Sequence, residues 1–72
     1  MEPSDSVAYY NKGNVLLGLK RFEEAIISYD EKIKLDPTHS GVYYNKGKSL
    51  ESLKKYQEAN ICYDKAKQLN KE

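Results

Sequence analysis

The sequence predicts an all-α fold of four helices, arranged as two stacked antiparallel hairpins. The first observation behind this is an internal echo. Tyr9-Tyr10-Asn11-Lys12-Gly13 recurs as Tyr43-Tyr44-Asn45-Lys46-Gly47, and at the same 34-residue offset Ser6/Ser40, Leu16/Leu50, Leu19/Leu53, Glu24/Glu58, Ala25/Ala59, Ile27/Ile61, Tyr29/Tyr63 and Leu35/Leu69 agree without an insertion. A fixed period of this length marks stacked supersecondary units, each burying its apolar face mainly against its neighbours. The second observation is that apolar residues within each unit fall at helical spacing and do not alternate. The third is the shortness of the links between apolar stretches, which forces consecutive helices to run antiparallel. The units divide the chain into an N-terminal tail, 1–5, a first repeat, 6–39, and a second repeat, 40–72.

The first helix is expected from Val7 to Leu19, with Ala8, Tyr9, Leu16 and Leu19 on its apolar face and Asp5 or Ser6 as N-cap. Lys20-Arg21 then turns the chain. Phe22, Ala25, Ile26, Tyr29 and Ile33 make the face of the second helix, which stops at Leu35-Asp36-Pro37 because proline disfavours α geometry in the residue before it. Thr38, His39 or Ser40 opens the third helix, which runs to Leu53. Lys54-Lys55 is the second turn, and the fourth helix runs from Tyr56 to about Leu69. Gly13 and Gly47 fall inside helices, where glycine costs about 1 kcal/mol relative to alanine. Their shared register predicts a close helix crossing in each hairpin, with Ala25 and Ala59 as the facing residues.

Tyr9, Gly13, Leu16, Ala25, Tyr29 and Pro37, followed by Tyr43, Gly47, Leu50, Ala59, Tyr63 and Ala66, form a pattern that resembles the tetratricopeptide repeat family over nearly the whole chain. The resemblance implies an α-solenoid of hairpins twisting into a right-handed superhelix. It also implies a scaffold role, in which a peptide or partner protein lies against the concave face made by the first helix of each unit. Several residues depart from the family pattern. Lys32 stands where the family has a small junction residue and is expected to snorkel outward, loosening that junction. Asn60 replaces an apolar residue, with Ile61 beside it, which shifts the apolar stripe by one position. Lys67 and Lys71 replace Ile33 and the closing proline, as suits a terminal unit.

Composition narrows the function classes. Twelve Lys and Arg against 11 Asp and Glu, interspersed along the chain, argue against bulk binding to nucleic acid or to an anionic membrane. One cysteine excludes an internal disulfide framework. The acidic N-terminus is no secretory signal, and no apolar run approaches the roughly 20 residues that span a bilayer. A cytoplasmic or otherwise intracellular protein is expected. Catalysis finds no support: His39 has no nucleophile paired with it, and Glu23-Glu24 are neighbours whose side chains diverge by about 100° on a helix. The sequence predicts no enzyme, no cofactor and no metal site.

The candidate binding groove is formed by Tyr10, Asn11, Asn14, Tyr44, Asn45 and Lys48, polar and aromatic residues at helical spacing away from the Tyr9/Gly13/Leu16 stripe. Asparagine can bracket a peptide backbone as donor and acceptor, and tyrosine supplies rigid apolar contact with a polar tip. Lys12, Lys46 and Lys48 add positive charge that favours an acidic ligand. The competing reading of these residues is a solvated face, with Tyr10 and Tyr44 packed on one another. A subgroup of the family clamps a chaperone C-terminal carboxylate with lysine, asparagine, asparagine, lysine and arginine from three units. Asn14 and Asn45 match its asparagines, but Tyr10 replaces its first lysine and two units cannot supply its last two cations. Three repeats are usually needed for a stable stack. The chain is therefore expected either to be part of a longer array or to form homo-oligomers through a partly uncovered last hairpin, at Cys62, Tyr63, Ala66 and Leu69.

Overall fold

The computed structural model describes residues 3–70, with side chains from residue 6 onward. Four helices follow in order: α1 (Pro3–Gly18), α2 (Phe22–Leu35), α3 (Ser40–Ser52) and α4 (Tyr56–Asn70). α1 packs on α2 and α3 on α4 as two hairpins, and α3 docks against α2, grazing α1. The chain measures 34 × 30 × 15 Å. A helix with its side chains is about 10 Å across, so a body this thin leaves every helix one face in solvent and makes the junction between hairpins decisive.

α1 starts earlier than the sequence suggests. Pro3 occupies its opening turn, where the missing proline N–H is one of the groups that has no helical partner anyway. Asp5 and Ser6 consequently lie within the helix and do not cap it, and the described part of the 1–5 tail continues α1. Both hairpin turns are three residues long, Leu19–Arg21 and Leu53–Lys55. Each closes with a pair of bonds: Lys20 N–H to Leu17 O (3.0 Å) with Arg21 N–H to Leu16 O (2.9 Å), and Lys54 N–H to Glu51 O (2.9 Å) with Lys55 N–H to Leu50 O (2.9 Å). This pattern satisfies the last helical carbonyls by placing one residue in the left-handed region. That residue is a lysine both times, Lys20 at φ 63° and Lys54 at φ 64°.

At the end of α2, Asp36 is extended and its N–H still bonds Lys32 O. Its carboxylate accepts the Thr38 hydroxyl (2.7 Å) and the Thr38 N–H (3.2 Å), so Thr38 is held in the turn and His39 takes the N-cap position of α3. These two bonds, with the Lys32 ammonium, hold the Asp36 carboxyl down at about 2.

The core has two clusters. Leu16, Ala25 and Tyr29 receive Val42 from α3, with Tyr10, Leu17 and Ile33 around them; Leu50, Ala59 and Cys62 are joined by Tyr63 and by Ile26 from α2. Each hairpin thus lends one branched side chain to the other's core, which is what fixes their relative position. The close approach predicted at the glycines is present, with a different partner. A Cβ on Gly13 would lie 2.5 Å from the Tyr29 ring, and one on Gly47 would lie 2.7 Å from the Tyr63 ring, with Ala59 only a secondary neighbour through its carbonyl oxygen. A flat ring lying over the helix needs the missing Cβ more than alanine does.

Lys32 overturns the expectation of an outward ammonium. The residue is 3% exposed, and its Nζ donates to Ser6 Oγ (3.0 Å) and to Asp36 Oδ2 (3.2 Å). Short polar partners at the N-terminus of α1 and the end of α2 let the charge turn inward, so Lys32 ties α1 to α2 within the first hairpin. Asn60 and Ile61 are both exposed, and Ile61 sits like its counterpart Ile27, so the stripe is not shifted. Lys71 lies outside the described residues.

Candidate functional site

The groove residues read from the sequence separate into two groups. The first sits at the junction of the hairpins. Asn14 Oδ1 accepts the Tyr29 hydroxyl at 2.7 Å and Asn45 Nδ2 at 2.9 Å, and the same Asn45 nitrogen lies 3.4 Å from the Tyr10 hydroxyl oxygen. The Tyr10 ring centroid lies 6.3 Å from that of Tyr29 and 4.6 Å from that of His39. Tyr10 and Asn14 are one turn apart on α1 and Asn45 faces them from α3, so the i,i+4 spacing assembles the network directly. Burial, then the neighbouring Tyr10, pushes the Tyr29 hydroxyl up to about 12. These half-buried asparagines hold the units together, and Asn14 Nδ2 and Asn45 Oδ1 take no part in the network.

The second group lies on α3 and α4. Tyr44 is 53% exposed, its ring 5.4 Å from that of Tyr63, and Lys48 Nζ stands 5.8 Å from the Tyr44 centroid, within cation–π reach. Lys48 takes the place that Asn14 holds in the first unit and cannot accept a hydrogen bond. The Tyr63 hydroxyl donates instead to Glu51 (2.7 Å). Burial first, and this carboxylate second, push Tyr63 up to about 12. Each of Tyr10 and Tyr44 therefore pairs with the tyrosine of its own hairpin.

Asn11 joins neither group. It is the counterpart of Asn45, which reaches back toward the preceding hairpin, and on α1 the same direction leads to solvent. Lys46 leaves the groove as well: its Nζ pairs with Asp30 across the junction at 2.6 Å. Tyr29, Tyr63, Glu51 and His39 are the members the sequence reading missed. The signal was present where the echo breaks, at Asn14/Lys48 and Leu17/Glu51, since a change of donor or acceptor there forces the tyrosine hydroxyl to a new partner.

The residues of the expected self-association end also divide. Tyr63 and Ala66 line an open hollow on the α3–α4 side away from the first hairpin, together with Tyr44, Glu51 and Asp64. Cys62 does not lie there. It is buried against Leu50 and Ala59 and contributes to a separate groove between α2 and α4 with Ile26, Ile27 and Ile61. Burial pushes its thiol above the ordinary value, which leaves it protonated and unreactive at neutral pH. Leu69 is half-buried on the last turns of α4. Among the described residues there is no cluster of three or more His, Cys, Asp or Glu able to hold a metal ion, and no helix is long and apolar enough to cross a membrane.

Two antiparallel hairpins of similar length, docked through the first helix of the second unit, match the family pattern read from the residues. The tetratricopeptide repeat model matches residues 6–39, and a second such model matches residues 40–72. The chain belongs to the tetratricopeptide repeat family. Tetratricopeptide repeats are generally protein–protein interaction modules, a scaffold type and not an enzyme fold. A comparison with curated proteins finds no match.

Proposed function

We propose that this tetratricopeptide repeat pair is an interaction scaffold whose α1/α3 face holds an extended, acidic segment of a partner protein. The observation that carries the reading is the exposed Tyr44 ring with the Lys48 ammonium beside it, next to the half-buried Asn14–Asn45 pair. Tyr44 offers a rigid apolar platform, Lys48 a charge for a carboxylate, and Asn14 Nδ2 with Asn45 Oδ1 a donor and an acceptor for one peptide unit. Because the two asparagines are already fixed by Tyr29 and Tyr10, little side-chain entropy is lost when a ligand arrives. Two units make a short groove, so the affinity of one copy is weak and is raised by avidity or by a longer array.

The test uses a short peptide rich in Glu and Asp, and a neutral counterpart with Gln and Asn, titrated while amide shifts are followed by nuclear magnetic resonance. Shifts at Tyr44, Asn45 and Lys48 with the acidic peptide, weakened about tenfold by Lys48→Glu, support the reading. Shifts spread over the outer helices, or identical for both peptides, would overturn it. Asn14→Ala is the wrong probe, since it also removes the acceptor of Tyr29 and Asn45.

A further inference from the structure

The hollow at the far end of the second hairpin is the first hairpin's docking surface repeated 34 residues later. In the first hairpin, Tyr10, Leu17, Tyr29 and Ile33 surround the seat of Val42, and Asp30 pairs with Lys46. The corresponding residues in the second are Tyr44, Glu51, Tyr63, Lys67 and Asp64, and among the described residues no helix outside their own hairpin packs on them. At the opposite end, α1 carries the row that α3 buries. Val42 and Ser49 are fully buried, Val42 within the first hairpin's core, whereas their counterparts Ala8 and Val15 are exposed, Val15 by 62%, and so is Lys12, the counterpart of Lys46. Leu19 extends the same exposed row and is 61% exposed.

Among the described residues, the α3–α4 end therefore has no further helix packed on it, and the outer row of α1 has none packed on it either. We infer that the chain associates head to tail, with α1 of a second copy seated on the α3–α4 end, Ala8 over the Tyr44–Tyr63 pair and Lys12 against Asp64 as Lys46 stands against Asp30. The arrangement is specific in charge, since Lys12 and Asp64 are both exposed and of opposite sign. It is weaker than the internal junction, because Glu51 and Lys67 replace Leu17 and Ile33 and Ala8 is smaller than Val42. So polar a contact is expected to be weak and to show only toward the upper end of the concentration range. The contact is heterologous, so it propagates unless the ring closes. It uses a surface that meets the proposed peptide groove at Tyr44 and at Lys48, the counterpart of Asn14.

The two ends can be disabled separately, because Val15 and Asp64 are exposed and their replacement does not disturb the core. Val15→Glu blocks the α1 row, and Asp64→Arg repels Lys12. Sedimentation equilibrium from micromolar to millimolar concentration should show concentration-dependent association of the unaltered chain and at least about tenfold weaker association of each variant alone. An equimolar mixture should form a one-to-one dimer and nothing longer, since it retains one intact head and one intact tail. Helicity by circular dichroism, unchanged in each variant, shows that the hairpins are intact. A monomer at every concentration, variants that associate like the parent, or a mixture that stays monomeric would each overturn the inference.

Discussion

Replacing Gly13 by alanine should destabilise the protein, although the same change in an ordinary helix stabilises it. Alanine gains about 1 kcal/mol of helix propensity over glycine. Against this, the new Cβ would stand 2.5, 2.7 and 2.9 Å from three carbons of the Tyr29 ring, while carbon atoms in contact prefer about 3.5 to 4.0 Å. The ring must retreat by roughly 1 Å, a displacement of the size that overpacked cores resist at about 1–3 kcal/mol. Tyr29 has nowhere to go: it is fully buried, Tyr10 lies against it, and its hydroxyl is held at 2.7 Å by Asn14. Losing that hydrogen bond would cost about a further 1 kcal/mol. The repulsion wins, and a net loss of about 1–3 kcal/mol is expected.

Gly18 and Gly47 turn this into a graded series. Nothing lies within 4 Å of a Cβ on Gly18, so Gly18→Ala keeps the propensity gain and should stabilise by about 0.5 kcal/mol near the helix end. At Gly47 the facing ring, Tyr63, is only half-buried and can pivot, but the Ala59 carbonyl oxygen at 3.2 Å is backbone and cannot. Gly47→Ala should fall between the other two. Urea titration followed by helical circular dichroism reads the order directly, and for a domain this small 1 kcal/mol moves Tm by about 4–8 °C. In a Tyr29→Leu background the Gly13→Ala penalty should shrink, which a double-mutant cycle isolates. A Gly13→Ala protein as stable as the parent, or no coupling to Tyr29, would refute the reasoning.

Lys20→Gly and Lys54→Gly should each stabilise by about 1 kcal/mol in urea, because both lysines occupy the left-handed region at a cost that glycine does not bear; destabilisation would mean that the turn is not a left-handed cap in solution. Lys32→Met should leave stability within about 1 kcal/mol of the parent, since an apolar side chain of similar length replaces a buried charge, whereas Asp36→Ala should cost more by leaving that ammonium without its carboxylate. The reverse order in thermal melts would contradict the inward pairing. Asp36 titrates at about 2 in the folded chain against an ordinary 3.8, so its contribution is complete above pH 4 and is lost as pH falls from there through 2. Tyr29 and Tyr63 titrate at about 12 against an ordinary 10.0, so theirs is complete below pH 10 and is lost as pH rises through 12. Melting followed across both windows checks the signs, with Asp36→Asn flattening the acid limb and Tyr63→Phe the alkaline one.

The architecture was legible because the 34-residue period announces stacked units and the helical spacing of the apolar residues within each unit selects helices over strands. Other features were illegible for specific reasons. The left-handed turns were missed because their usual marker, glycine, is absent and lysine takes the strained position at Lys20 and Lys54. Lys32 was misread because Ser6 is far away in sequence and Asp36, although four residues on, lies past the helix end, so the i,i+4 spacing alone announces a pair but not a buried ammonium. The groove was read as one face because Tyr10, Asn11 and Asn14 share helical spacing. Direction decides otherwise: the neighbouring unit takes up Asn14 and Asn45, while Asn11, with no unit on its side among the described residues, is left in solvent.

In an internal duplication, the positions that agree describe the stack, and the positions that differ describe what each unit does in its place. Asn14 differs from Lys48, and the consequence is that one hairpin spends its polar side chain on the junction while the other leaves a cation beside an exposed tyrosine. Leu17 and Ile33 differ from Glu51 and Lys67, so the surface that holds α3 tightly in one place is polar in the other. Both substitutions act on the second hairpin and both make it more accessible. A surface that kept Leu and Ile there would bind a following helix firmly and would hide Tyr44 and Lys48 beneath it. Under the proposed roles, these polar replacements keep end-to-end contact weak enough to be reversible, so that the same tyrosine can serve a peptide when it is not serving another copy.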